Sequence, residues 1–341
     1  MRGAFRKSTP IRPAGAVLAL LCAAFAPPTA AQTPATEDRA VVALAFENDV
    51  FASSDRHYTS GLRIGFAAPS ATTPRALAAL GDASGLFPDG ARYRLVLTLG
   101  QSMFTPRDIL LERPGPDDRS WAGTLYGSIA LAGGDGTRSH SLELTLGVAG
   151  PSARAGETQR AIHDAVGTDE PAGWDHQIED RPIVALSYQR RWRYAETRLE
   201  RLGGLEVGLS PHLGATLGTV RADAQVGATV RVGRRLGEDF GPPRVQPSIP
   251  GSGVIGARAG AWYGFAGVDL RLVGRDELLE ARGPDDPPPL EPERWVADLQ
   301  FGALASFGEA KLAYTHVLRT DQWDSQASDT SFGAVSLSRA W

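Results

Sequence analysis

The chain has a single cysteine, Cys22, in 341 residues, so no disulfide within the chain can hold the fold together. That cysteine lies inside residues 1–31, which read as an export signal. Arg2, Arg6, Lys7 and Arg12 form a positive start, residues 14–25 an apolar core too short to span a bilayer, and Thr29-Ala30-Ala31 a small-residue cleavage region. Leu21 stands before Cys22, where a lipid-modified cysteine would follow a small residue. Beyond residue 31 no run of 18 apolar residues occurs, which excludes a helical membrane protein. Basic charge is also short. The whole chain carries −4, and residues 1–31 hold four basic and no acidic side chains, so the remainder carries −8. Such a balance argues against a nucleic-acid partner. There is no Gly-x-Ser-x-Gly elbow, no phosphate-binding glycine loop and no Cys/His zinc pattern.

What is present is alternation with a period of two. Tyr93, Leu95, Leu97 and Leu99 alternate with more polar neighbours, as do Leu142, Leu144, Leu146 and Val148. So do Trp295, Ala297, Leu299 and Phe301, set against Val296, Asp298, Gln300 and Gly302. These runs have the length of a tilted membrane-crossing strand. Twelve strands are expected, at 40–48, 58–68, 91–101, 120–132, 138–149, 182–194, 202–214, 222–233, 260–274, 294–306, 309–319 and 331–341. An even number suits an all-β, up-and-down antiparallel transmembrane barrel, which leaves no strand edge unpaired in lipid. Gly147, Gly208, Glu143 and Asp298 on the opposite face suit a polar lumen, and the chain ends on an aromatic, Trp341. Residues 32–341 then form one outer-membrane barrel.

With both termini at the inner side, the outward connections are 49–57, 102–119, 150–181, 215–221, 275–293 and 320–330. The inward connections 69–90 and 234–259 are long for periplasmic turns. The outward loop 150–181 carries helix signals: Thr158 as a possible N-cap, an apolar flank of Ala161, Ile162, Ala165 and Val166, and Gly167 as a stop. Gln159 and His163, four apart, share one face of that helix.

Strand 1 ends on Asn48 and Asp49, and strand 2 begins near Thr59, which puts all three at the outer rim. His163 is the candidate general base, because a neutral imidazole takes a proton near neutral pH. Asp49 is the candidate metal ligand with the Asn48 carbonyl beside it, and Asp169 or Glu170 offers a further carboxylate. Oxygen donors of this kind suit Ca²⁺ more than zinc. Successive strand residues point to opposite faces, so Asn48 and Asp49 can act together only where the strand ends or bulges. Each feature has a plainer reading: a solvated loop histidine, an Asn-Asp turn, a polar turn before Pro171.

Together these segments resemble the outer-membrane lipid A 3′-O-deacylases. The resemblance rests on ENDVFASSDRHYTSG (47–61), GQSMFTP (100–106), WAGTLY (121–126), residues 147–181 and FAGVD (265–269). It implies a twelve-stranded barrel and a calcium-dependent esterase that removes the 3′-linked acyloxyacyl group of lipid A in the outer leaflet. It implies His163 as catalytic base with Gln159 beside it, Asn48, Asp49 and Thr59 around the metal, and Asp169 where the family has an acidic residue. The run Asp169-Glu170-Pro171 lacks a tyrosine found in the family, and Arg107 stands near a family lysine. The expected partners are lipopolysaccharide and outer-membrane lipid, and the expected state is a monomer with its site facing the exterior. Two other readings stay open. A phospholipase would need a Ser–His pair on the barrel wall, and neither Ser128 nor Ser336 has an evident histidine partner. A porin-like barrel would need an open lumen.

Overall fold

A computed structural model describes residues 38–52, 57–135, 137–236, 240–242, 260–283, 288–327 and 329–341. Residues 1–31, expected as an export signal, lie outside the described residues. No described helix is long and apolar enough to cross a membrane, which leaves crossing by strands open.

Period-two alternation becomes thirteen strand segments among the described residues. They are β1 (Val41–Asn48), β2 (His57–Ala67), β3 (Arg92–Thr105), β4 (Ala122–Gly134), β5 (Arg138–Ala149), β6 (Arg181–Trp192), β7 (Ala195–Leu199), β8 (Leu205–Gly218), β9 (Arg221–Arg234), β10 (Trp262–Asp276), β11 (Trp295–Phe307), β12 (Ala310–Arg319) and β13 (Thr330–Ala340). Each pairs antiparallel with its neighbours, and β1 pairs with β13 from Val41↔Ala340 to Asn48↔Gly333. Closure on the far side is β6 against β8, Ala185↔Gly218 to Arg191↔His212. β7 carries the line of β6 onward along β8, with the pairing displaced by one residue between Arg191↔His212 and Ala195↔Leu209. Two segments therefore make one bulged stave, and the barrel closes on twelve. Residues 195–199, expected in a turn, are strand.

The two faces are sorted oppositely to a soluble barrel. Leu99 and Leu146 on the outside are 58% and 54% exposed, while Glu143, Arg231, Arg271 and Asp298 point inward and are buried. An apolar outer wall and a charged interior are what a cylinder immersed in hydrocarbon requires. Inside, Glu47 accepts from Tyr58 Oη and pairs with Arg63, and Arg319 grips Asp298 through Nε at 2.7 Å and Nη2 at 2.8 Å. His212 Nε2 lies 2.9 Å from Asp269 Oδ2. Gly227 leaves space for that imidazole, since a Cβ there would come within 2.6 Å of Nε2.

The chain ends lie at one end of the barrel, and most of the long loops at the other. At the terminal end, the long connection between β2 and β3 contains helix α1 (Arg75–Ser84). It folds back onto the outer wall, where Gly81 meets Tyr93 and Leu131 and Tyr93 Oη donates to Asp82 at 2.8 Å. A packed helix accounts for a length that a turn would not need. At the loop end, three connections close over the lumen. Arg282 Nη1 donates to Asp118 O at 2.7 Å, Trp323 Nε1 to Asp117 O at 3.0 Å, and Arg119 Nη2 to Leu278 O at 3.2 Å.

Candidate functional site on the outer wall

The loop between β5 and β6 holds helix α2, Ala155–Val166. It begins after Arg154, whose φ is 55°, and ends at Gly167, φ 72°, whose N–H bonds His163 O at 2.8 Å. Glycine suits that left-handed stop because it has no Cβ to clash. Thr158 is not the N-cap. It sits inside the first turn with its hydroxyl 3.2 Å from Arg154 O, three residues beyond the actual start. The buried face is Ala155, Gly156, Gln159 and His163, while Ile162 and Val166 on the apolar flank are exposed.

Small residues bring α2 close to the barrel. A Cβ on Gly123 of β4 would collide with the Cβ of Ala155, and one on Gly156 would strike the Trp174 ring. Gln101 Nε2 donates to Ala153 O at 2.8 Å. Met103, Trp121, Ala155 and Trp174 form one buried cluster, with the two indoles 5.2 Å apart. Gln101 and Met103 alternate in step with Leu97 and Leu99, so they belong to the outward face. The helix thus lies against the outside of the wall at its loop end.

On α2 a hydrogen-bonded chain runs in one direction. Trp174 Nε1–H donates to Gln159 Oε1 at 2.7 Å, which turns the Gln159 amide nitrogen toward His163 Nε2 at 3.5 Å. His163 Nδ1 lies 2.6 Å from Asp169 O. An indole N–H only donates and a carbonyl only accepts, so both ends of the chain are unambiguous. His163 carries its proton on Nδ1, and in the neutral ring Nε2 holds the lone pair. Asp169 reaches this group through its main chain; its side chain is exposed.

The rim residues form a second group. β1 stops at Asn48, and Asp49 opens a 3₁₀ turn, Asp49–Ala52. The strand does end where two adjacent side chains need it to. Asn48 Oδ1 accepts from Val50 N at 2.8 Å, and Asp49 is 0% exposed. Thr59 is the extra residue of a β-bulge between Tyr58↔Phe104 and Ser60↔Met103, and its hydroxyl meets that of Thr105 at 2.6 Å. Asn48 stands opposite Ser60, and Ser60 opposite Met103, the residue on which α2 rests. Two strand spacings, about 10 Å, therefore separate the end of β1 from the wall beneath the helix. His57 points elsewhere, to Thr330 Oγ1 at 3.2 Å and the Trp323 ring.

Among the described residues no three His, Cys, Asp or Glu side chains cluster closely enough to hold a metal. Where β1 ends and β2 begins, the rim offers the buried carboxylate of Asp49 with the neutral oxygens of Asn48 and Thr59. An all-oxygen set of that kind fits a hard cation such as Ca²⁺, which completes its shell with main-chain carbonyls and water. Trp174, Trp121 and Thr105 were not among the residues that the sequence pattern singles out. A lone tryptophan in a polar Ala-Gly-Trp-Asp-His run was the available signal, since a large indole seldom stays in solvent.

Solved structures resemble the barrel fold to different degrees. Among curated protein sequences none matches the chain. LpxR from Salmonella typhimurium superposes with a TM-score of 0.72 at 20% identity, covering 88% of this chain and 100% of that one. The β-domain of the Bordetella autotransporter BrkA reaches 0.44 at 10% identity, over 89% and 100%. The family model described as outer membrane protein LpxR matches residues 17–341. The chain belongs to the LpxR family of outer-membrane proteins.

Proposed function

We propose that this barrel is a Ca²⁺-dependent esterase that removes the 3′-linked acyloxyacyl chain of lipid A, with its loop end facing the cell exterior. The observation that carries the reading is His163: an imidazole oriented at both nitrogens, on a helix docked to the lipid-facing wall. A site there reaches an ester whose acyl chains remain in the bilayer against Leu97, Leu99, Leu62 and Ile64. The roofed, charge-filled lumen speaks for an enzyme on the wall rather than a pore through it.

In this mechanism His163 Nε2 removes a proton from water as its oxygen attacks the ester carbonyl. The C–O bond to the sugar then breaks, and the proton on Nε2 passes to the departing sugar oxygen, leaving a free hydroxyl and a fatty acid. Asp169 O holds Nδ1–H throughout and steadies the imidazolium. The Gln159 amide, which accepts from Trp174, and the Thr59 hydroxyl would orient water and the developing oxyanion. Asp49 and Asn48 would hold a calcium ion, which when bound supplies positive charge beside the carbonyl oxygen.

Mass spectrometry of lipid A from cells expressing the wild type and His163→Ala tests the proposal. Loss of one acyloxyacyl unit with the wild type and none with the variant is expected. Intact lipid A beside shortened glycerophospholipids would assign the protein to phospholipid hydrolysis instead.

A further inference from the structure

A Ser–His pair stands elsewhere on the outer wall. Ser331 Oγ of β13 lies 3.0 Å from His316 Nε2 of β12, and His316 Nδ1 lies 3.2 Å from Tyr314 Oη. Tyr314, His316 and Leu318 alternate in step on β12, and Leu318, which faces lipid, pairs directly with Ser331. All three polar groups therefore belong to the outward face. They stand near the loop end, His316 three residues before β12 stops and Ser331 at the second residue of β13. Aromatic rings frame them: Phe301 lies 5.1 Å from the imidazole, and Phe51, from the turn after β1, lies 6.1 Å from Tyr314. Neither Ser331 nor His316 is buried, so a molecule in the bilayer can reach both.

We infer that Ser331, His316 and Tyr314 form a second, serine-type acyl-ester site, opening sideways to lipid and taking ester-linked acyl chains of glycerophospholipids. Nucleophile and base are within hydrogen-bond reach, and a third group orients the base. With the ring proton on Nδ1 donated to Tyr314 Oη, the lone pair of Nε2 accepts from Ser331. Ser331 Oγ then attacks the ester carbonyl while its proton moves to Nε2. The bond to the glycerol oxygen breaks, that oxygen takes the proton from Nε2, and the acyl group remains on Oγ. Water, deprotonated by the same nitrogen, releases the fatty acid and restores the serine. The aromatic frame gives the acyl chain an apolar surface beside the serine. An uncharged glycerol ester suits this wall, where the rings of Phe301 and Phe51 flank the imidazole and the phenol.

The test is covalent labelling of the full barrel, refolded in detergent, with a fluorophosphonate probe, the adduct being located by peptide mass spectrometry. A modified Ser331 is expected in the wild type and in His163→Ala, so the outcome does not depend on the deacylase reading. Ser331→Ala should lose the adduct, and His316→Asn should slow its formation at least about a hundredfold, the usual contribution of a general base. Folding of each variant is checked by heat-modifiable gel mobility. Failure of the folded wild type to label at Ser331, or unchanged labelling in His316→Asn, overturns the inference. Should Ser331→Ala not fold, the wild-type adduct and the His316→Asn rate still decide it.

Discussion

His163 donates its Nδ1 proton to the main-chain carbonyl of Asp169, 2.6 Å away and six residues further along the chain. A backbone acceptor does this without the Asp169 carboxylate. Asp169→Asn should therefore keep deacylation within about twofold of the wild type, the scale expected when a surface side chain changes charge. His163→Ala should lose at least about a hundredfold. Rates on purified lipid A in micelles give both numbers. Abolition of activity by Asp169→Asn would mean that its side chain works directly, as a cation ligand for example.

Trp174 orients Gln159, and Gln159 faces Nε2. Trp174→Phe keeps the ring against Trp121 and removes only the N–H donor. The expected loss is about 1 kcal/mol, roughly fivefold, in kcat with KM little changed, because the interaction steadies the base rather than binding lipid. A purely structural role would instead show as altered barrel stability at normal kcat.

Docking of α2 depends on the missing Cβ of Gly123. Gly123→Val should push Ala155 outward at a cost of about 1–3 kcal/mol and carry His163 off its position. Activity should fall steeply while the barrel remains heat-modifiable on gels, since strand pairing of β4 is untouched. Retained activity would mean that α2 tolerates displacement.

The cation reading makes its own demand. A chelator should abolish activity and added Ca²⁺ should restore it, whereas Zn²⁺ should not, given the all-oxygen donors. Asp49→Asn should raise the Ca²⁺ concentration needed for half activity. Full turnover in excess chelator would remove the ion from the mechanism.

The barrel was legible in the sequence because a period of two, repeated at strand-length spacing, arises from sheets with two unlike faces and from little else. Asn48, Asp49, Thr59, Gln159 and His163 were legible as a group at one end of it, since strand parity assigns each loop to a side. The contacts that give them chemistry were not. Trp174 meets Gln159 only after the loop has folded on itself, and no local pattern encodes that approach. The bulged stave of β6 and β7 reads as two elements because two irregular residues interrupt the alternation. Ser331 and His316 meet across a hairpin, where loop length alone does not set register; a slip by one residue would turn Ser331 to the lumen. Ser128 and Ser336 have no evident histidine partner in the sequence, and the structure joins His316 to Ser331 instead.

α1 and α2 occupy the outer surface of the same two staves, β3 and β4, one at each end. Only the wall between them, with Leu97, Leu99 and Ile129, is left bare to hydrocarbon. On that flank the two helices would act as stops, above and below, on how far the cylinder could ride up or sink in a bilayer. For the proposed deacylase, the imidazole on α2 would thereby keep a constant depth, and which bond of a neighbouring lipid it meets would be a matter of vertical alignment as much as of recognition.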